Sequence, residues 1–128
     1  MRAEAMPQIG DKMPDGTILA GYHEGKALYT TPADAPLTYT FNRAVKYAEK
    51  LDAHGHQDWR VPSKSELNVL FQNHAAIEGF DTSGPGLKQW YRSSTEDLAD
   101  YTWGQRFSDG DCDWSVMGRY ELSLRVVR

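Results

Sequence analysis

The chain has a single cysteine, Cys112, among its 128 residues. An internal disulfide is therefore excluded, and packing and hydrogen bonding must hold the fold together. There is no apolar run long enough to cross a membrane and no run of Lys and Arg. With a formal net charge of −4, the clustered positive footprint of a nucleic-acid binder is missing. Neither nucleic acid nor membrane insertion is expected. The opening residues, Met1-Arg2-Ala3-Glu4-Ala5-Met6-Pro7, have no apolar core of the secretory kind. The expected location is the cytoplasm, with secretion by a route that cleaves no signal as the alternative. Linkers, low-complexity segments and internal repeats are also missing. The expectation is one domain over residues 1–128, with an irregular lead-in at 1–16 punctuated by Pro7, Gly10, Pro14 and Gly16.

What the chain does have is aromatic residues. At 12%, with four Trp and seven Tyr, they are on the high side; some are expected in the core, but Trp and Tyr also make rigid contact surface in recognition sites. Alternation and turn signals give two short strands at 17–22 and 27–30, joined at His23-Glu24-Gly25-Lys26 into a hairpin. Thr40 is the expected N-cap of a first helix, whose stripe is Phe41, Ala44, Val45, Ala48 and Leu51, with Gly55 as its left-handed C-cap. Ser63-Lys64-Ser65-Glu66 is a capping box that opens a second helix, with Leu67, Leu70 and Phe71 facing inward. Pro62 keeps Val61 out of the helical region and so separates the two helices. From Trp90 the pattern becomes strand-like, at 90–94, 102–107, 114–117 and 122–127, with a turn at Ser108-Asp109-Gly110-Asp111. The expected class is α+β, two helices packed on antiparallel sheets with long loops.

Catalytic and metal chemistry find little support. His54-Gly55-His56-Gln57-Asp58 has imidazoles beside a carboxylate, but no third and fourth ligand at a recognisable spacing, and a polar helix-exit loop is the reading taken. Asp109, Asp111 and Asp113 alternate without the loop length or terminal Glu of an EF-hand. Cys112 lies among Asp111, Asp113 and Glu121, whose charges raise a thiol pKa. Ser93 and Ser94 have no evident base, and no glycine-rich phosphate loop occurs. No enzymatic activity, metal or cofactor is expected.

The run Asp58-Trp59-Arg60-Val61-Pro62-Ser63 with Glu66-Leu67 resembles the "DWRLPT…EL" signature of the Lcl C-terminal domain family. Tyr91-Arg92-Ser93-Ser94-Thr95 is similar to its "YWSST" segment. Trp103 to Phe107 with Asp109-Gly110 matches its "W…F.DG" strand and turn, and Leu124-Arg125-Val126-Val127-Arg128 its terminal "VRCVR". Together these motifs cover residues 41–128 in order. The resemblance implies a C-type-lectin-like fold. The cysteines usual in the family are replaced by Ala48 and Val126, which fits a reducing compartment, and its Trp is replaced by Arg92. The calcium-and-sugar triplets of lectins with this fold are absent, as is the cysteine pair of formylglycine-generating enzymes. Trp59 is expected to anchor both helices to the sheet, and Arg60 and Arg125, if buried, to act as internal clamps.

The candidate ligand-binding residues are then those of the late loops and strands: Arg92, Thr95, Glu96, Asp97, Asp100, Tyr101, Trp103, Gln105, Asp111, Asp113, Trp114, Met117, Arg119, Tyr120 and Glu121. Their mixture of aromatics, Arg and acids resembles a paratope. Core packing of Trp103, Trp114 and Met117 stays open as the alternative, whereas Arg92, Tyr101 and Tyr120 are expected at the surface. The function this implies is a non-enzymatic recognition module for a protein or cell-surface ligand. Domains with this signature include variable proteins of diversity-generating retroelements, which alter exposed residues on a fixed scaffold. The alternatives are a glycan-binding adhesin-type module and a structural domain of a phage or surface assembly. Sulfated polymers are disfavoured, since no basic patch is visible.

Overall fold

The computed structural model describes residues 6–83, 86–96, 101–117 and 120–128, the side chains of 113–117 excepted. The chain is α+β. In order come β1 (Ile18–His23), β2 (Lys26–Thr30), α1 (Phe41–Lys50), α2 (Lys64–Gln72), the single turn α3 (His74–Ile77), a 3-10 turn (Gly86–Gln89), β3 (Trp90–Glu96), β4 (Tyr101–Arg106) and β5 (Cys112–Met117). Two antiparallel sheets result, β1-β2 and β3-β4-β5. Among the described residues no helix is long and apolar enough to cross a membrane.

The expected hairpin forms with a tighter turn, because His23 already pairs with Lys26. Glu24 and Gly25 both take positive φ, 52° and 79°, the two-residue turn whose twist suits a hairpin. Thr40 caps α1 through Arg43 N. The helix ends at Lys50 with Leu51 as C-cap, so Gly55 does not close it. Gly55 instead follows His54 in a second two-residue turn, φ 55° and 78°, where Ala53 and His56 exchange backbone hydrogen bonds at 3.0 and 3.1 Å. The capping box of α2 is complete: Ser63 Oγ accepts from Glu66 N, and Glu66 Oε1 accepts from Ser63 N at 2.9 Å.

Residues 122–127, expected as a strand, belong to neither sheet. They run through the centre as an irregular buried segment satisfied by several partners. Leu122 exchanges hydrogen bonds with Tyr39, Val127 with Arg60 and Arg128 with Tyr29, while Ser123 bridges Trp90 and Arg92. A backbone buried on all sides must find partners for every N–H and C=O. Here four different segments supply them.

The segment divides the core in two. On one side Leu67, Leu70, Tyr91, Phe107 and Val127 pack with the β1-β2 hairpin. On the other, Trp59, Ala44, Ala48, Leu124 and Val126 pack with Tyr39. Trp59 therefore anchors α1 but not α2. It is 3% exposed, and its indole N–H donates to Ala53 O at 3.1 Å.

Candidate functional site

The β3-β4-β5 sheet and its flanking turns bring together part of the expected surface, over a base that is tightly held. At the head of α2, Lys64 N donates to Thr95 Oγ1 at 2.9 Å and Ser94 N to Pro62 O at 2.7 Å. The Lys64 ammonium sits 5.1 Å from the centroid of the half-buried Trp103 ring, a cation–π contact. Below them Ser93 Oγ donates to Trp103 O at 2.6 Å. The capping motif of α2 thus fixes the end of β3, with Thr95 on the backbone N–H of Lys64 and Trp103 under its ammonium.

Two expected contact residues are internal instead. Arg92 is wholly buried, contrary to the surface position expected for it. Its guanidinium donates to Thr102 Oγ1 at 2.5 Å, to Tyr39 O at 3.3 Å and to Tyr120 O. No carboxylate partner is present among the described residues, and burial lowers its pKa to about 10. Gln105, only 1% exposed, donates to Asn68 Oδ1 on α2 and to Gly110 O. Strand pairing explains both: Tyr91 faces Gln105 and Arg92 faces Gly104, and one side of the sheet meets α2 while the other meets the Tyr39 segment.

Outside this base, Glu96, Asp111, Tyr120 and Glu121 are exposed, and Thr95, Tyr101 and Trp103 are half-buried. Glu121 lies 3.7 Å from Arg43 of α1. Asp111 is 3.5 Å from Arg106, whose guanidinium also pairs with Asp109 and stacks over Trp90 at 5.3 Å. Hydrogen bonding to Arg106 holds the Asp109 carboxyl down at about 2. The strand register sets Tyr101 opposite Met117 and Gly104 opposite Asp113. Trp114 also lies in β5, where only the backbone is described, and Asp97, Asp100 and Arg119 lie outside the described residues.

The polar side chains of the 54–58 loop turn to separate partners. His56 Nε2 pairs with Asp15 at 2.7 Å, Asp58 chelates Arg128, and the His54 ring meets the edge of Trp59. Among the described residues no group of three His, Cys, Asp or Glu could hold a metal ion. Cys112 Sγ donates to Gly110 O at 3.4 Å, and burial and then Asp111 push its thiol pKa up. Lys64 and Asp34 were not among the residues singled out. Lys64 could have been found as the first residue after the N-cap, beside the "YWSST"-like strand end. Asp34, isolated between two prolines, is the acid that the clamp Arg125 needed.

The family model for the Lcl C-terminal domain matches residues 22–128. The chain belongs to the Lcl C-terminal domain family. Within this Lcl C-terminal domain the matched region begins at the end of β1 and takes in β2, the described helices, the β3-β4-β5 sheet and the central segment. No curated protein matches the chain.

Proposed function

We propose that this Lcl C-terminal domain is a non-enzymatic recognition module on a C-type-lectin-like scaffold, with its contact surface on the β3-β5 sheet and adjoining turns. One observation carries the reading: locked residues in β3 and β4 sit next to residues presented at the strand ends and in the adjoining turns. Tyr91, Arg92, Ser93 and Gln105 are buried and bonded inward, while Glu96, Asp111, Tyr120 and Glu121 are exposed beside the half-exposed Tyr101 and Trp103. Such a surface can change without disturbing what lies below it. That partition also suits a variable protein of a diversity-generating retroelement. The non-enzymatic part rests on Cys112, whose thiol is biased toward its unreactive protonated form.

A display library randomised at Glu96, Tyr101, Asp111, Tyr120 and Glu121 tests the partition. Most members should resist protease, whereas a library at Tyr91, Arg92 and Gln105 should yield few that do. Equal tolerance of the two libraries would remove the support. For the retroelement role, sibling isolates should differ within residues 92–121 and agree over 58–67; uniformity throughout would rule it out. A glycan-binding adhesin is the second reading, favoured by Tyr101 and Trp103 at the same-face spacing of one strand. A glycan array with and without calcium separates the two.

A further inference from the structure

A different face of the molecule has the composition of a binding groove. Between α1 and the 37–39 segment lies an open cleft of about 520 Å³, within the usual size range of ligand sites. Its floor is apolar: Leu37, which is 69% exposed, Leu51, and the Tyr39 and Tyr47 rings, tilted at 50° with centroids 5.2 Å apart. Its rim is basic. Arg43, Lys46 and Lys50 line it from successive turns of α1, at the i, i+3, i+7 spacing that puts residues on one helix face. The opposite face of α1, Ala44 and Ala48, is buried against Trp59, so the stripe is held outward.

The charge pattern runs against the rest of the chain. Three cations and one acid, Asp52, line the groove of a protein with net charge −4. Asp52 already accepts from Gln57 at 2.9 Å. Arg43 pairs with Glu121, but both side chains are largely solvated, 72% and 54% exposed, a pair of little strength. Lys46 and Lys50 have no ion-pair partner among the described residues. The sequence shows no basic patch, yet the fold brings three cations onto one groove. No continuous run of cations reveals it, because helical spacing assembles it from positions three and four apart.

We propose that this groove docks an acidic peptide segment of a partner protein, an aliphatic or aromatic side chain flanked by carboxylates. The aliphatic floor positions Leu37 and Leu51 match an apolar side chain better than the hydroxyl- and sulfate-covered surface of a sulfated sugar polymer. The concave shape suits an inserted side chain better than a flat lipid surface. Spacing agrees too. Four residues of helix separate Lys46 from Lys50 by about 6 Å along the axis, and alternate residues of an extended peptide are about 6.6 Å apart. The groove adjoins the β3-β5 surface through the Arg43–Glu121 pair and through Tyr39 O, which accepts from Arg92, but Leu37, Lys46 and Lys50 belong to the groove alone, so variants there test it separately.

The test is fluorescence anisotropy at low salt with a labelled Glu-Leu-Glu-Phe-Glu peptide and the full chain. Saturable binding is expected, weakening with added salt. The exchange Lys46→Glu with Lys50→Glu should weaken it about tenfold or more, and Leu37→Ser several-fold, with unchanged melting temperature. On the unaltered protein, a peptide with Ser at both apolar positions, or with Lys for Glu, should bind at least about tenfold more weakly. Equal binding of the Ser peptide would reduce the groove to a general anion attractor and overturn the proposal. So would an unaffected charge-reversed variant, an absence of saturable binding, or binding of a heparin fragment or anionic vesicles in place of the peptide.

Discussion

Asp34 closes a contact across nearly the whole chain: its Oδ1 accepts from Arg125 Nε at 2.8 Å. The other carboxylate oxygen takes the Tyr91 hydroxyl, which in turn accepts from Asp81 N at 2.7 Å. Arg125 is wholly buried, donates also to Thr31 O and Glu78 O, and lies with its guanidinium carbon 4.0 Å from the Phe80 ring centroid. Burial pushes the Asp34 carboxyl up in spite of Arg125, and desolvation with the adjacent Asp34 pushes the Tyr91 hydroxyl up as well. This knot ties the central segment to β3 and to the loop before α1.

Breaking it should be costly, because removing one partner leaves a buried charge behind. Asp34→Asn and Arg125→Met are each expected to lose about 3 kcal/mol in urea unfolding. The double variant should lose less than the sum of the two, as expected of groups in one network. Additive losses would mean that the two residues act independently.

Glu66 predicts an acid limb of stability. Burial pushes its carboxyl up, but the hydrogen bonds from Arg60 and Ser63 and the Arg60 charge outweigh that and leave it below 4.5. A carboxylate whose folded pKa is depressed stabilises above its unfolded pKa, and that contribution is lost as pH falls through the folded value. Asp58, lowered by Arg128, acts in the same direction. Stability should fall as pH drops below 4.5, and Glu66→Gln should flatten the decline while lowering stability at neutral pH. Ser63→Ala should cost about 1 kcal/mol at any pH where the helix is folded. A Glu66→Gln variant with the parental pH profile would contradict this.

Local rules made the hairpin, the Thr40 cap, the capping box and three late strands legible, since each depends on residues within a few positions of one another. What escaped depended on distant partners. Leu122 to Val127 alternate like a strand, yet their hydrogen bonds are divided among Tyr39, Trp90, Arg60 and Thr30, and no local pattern reveals such a division. Arg92 resembled a surface residue by type alone. Its acceptors, Tyr39 O and Tyr120 O, are far away in sequence and acquire meaning only once the chain has folded. The candidate site was legible as a region but not as a division between base and face, because burial on both sides of a sheet erases the alternation that would have marked it.

Two glycines with nearly the same backbone offer a controlled comparison. Gly25 and Gly110 have φ 79° and 83°, where an added side chain is strained by about 1 kcal/mol. A Cβ at Gly25 would meet nothing within 4 Å, whereas one at Gly110 would lie 2.5 Å from Phe71 Cε2. Gly25→Ala should therefore cost about 1 kcal/mol and Gly110→Ala about 3 kcal/mol, the excess coming from displacing a packed ring. Pairing Gly110→Ala with Phe71→Leu should recover part of that excess. Equal losses at the two glycines would show that the Phe71 contact relaxes freely.

Arg92 yields the sharpest prediction, since stability and local order should respond differently. Its burial without a carboxylate among the described residues is unfavourable, and an apolar side chain of similar length removes that desolvation. Tyr39 O keeps its hydrogen bond from Leu122 N at 2.9 Å. Arg92→Met should thus change global stability by no more than about 1 kcal/mol. Amide exchange near Thr102 and Tyr120 should nonetheless quicken, because the fork that joins them is gone. The sign with pH follows from its pKa of about 10, below the ordinary 12.5. Above about 10 the unfolded chain holds more protons than the folded one, so stability relative to Arg92→Met should rise with pH. A difference between the two proteins that stays constant through that range would mean Arg92 is far better solvated than its position implies.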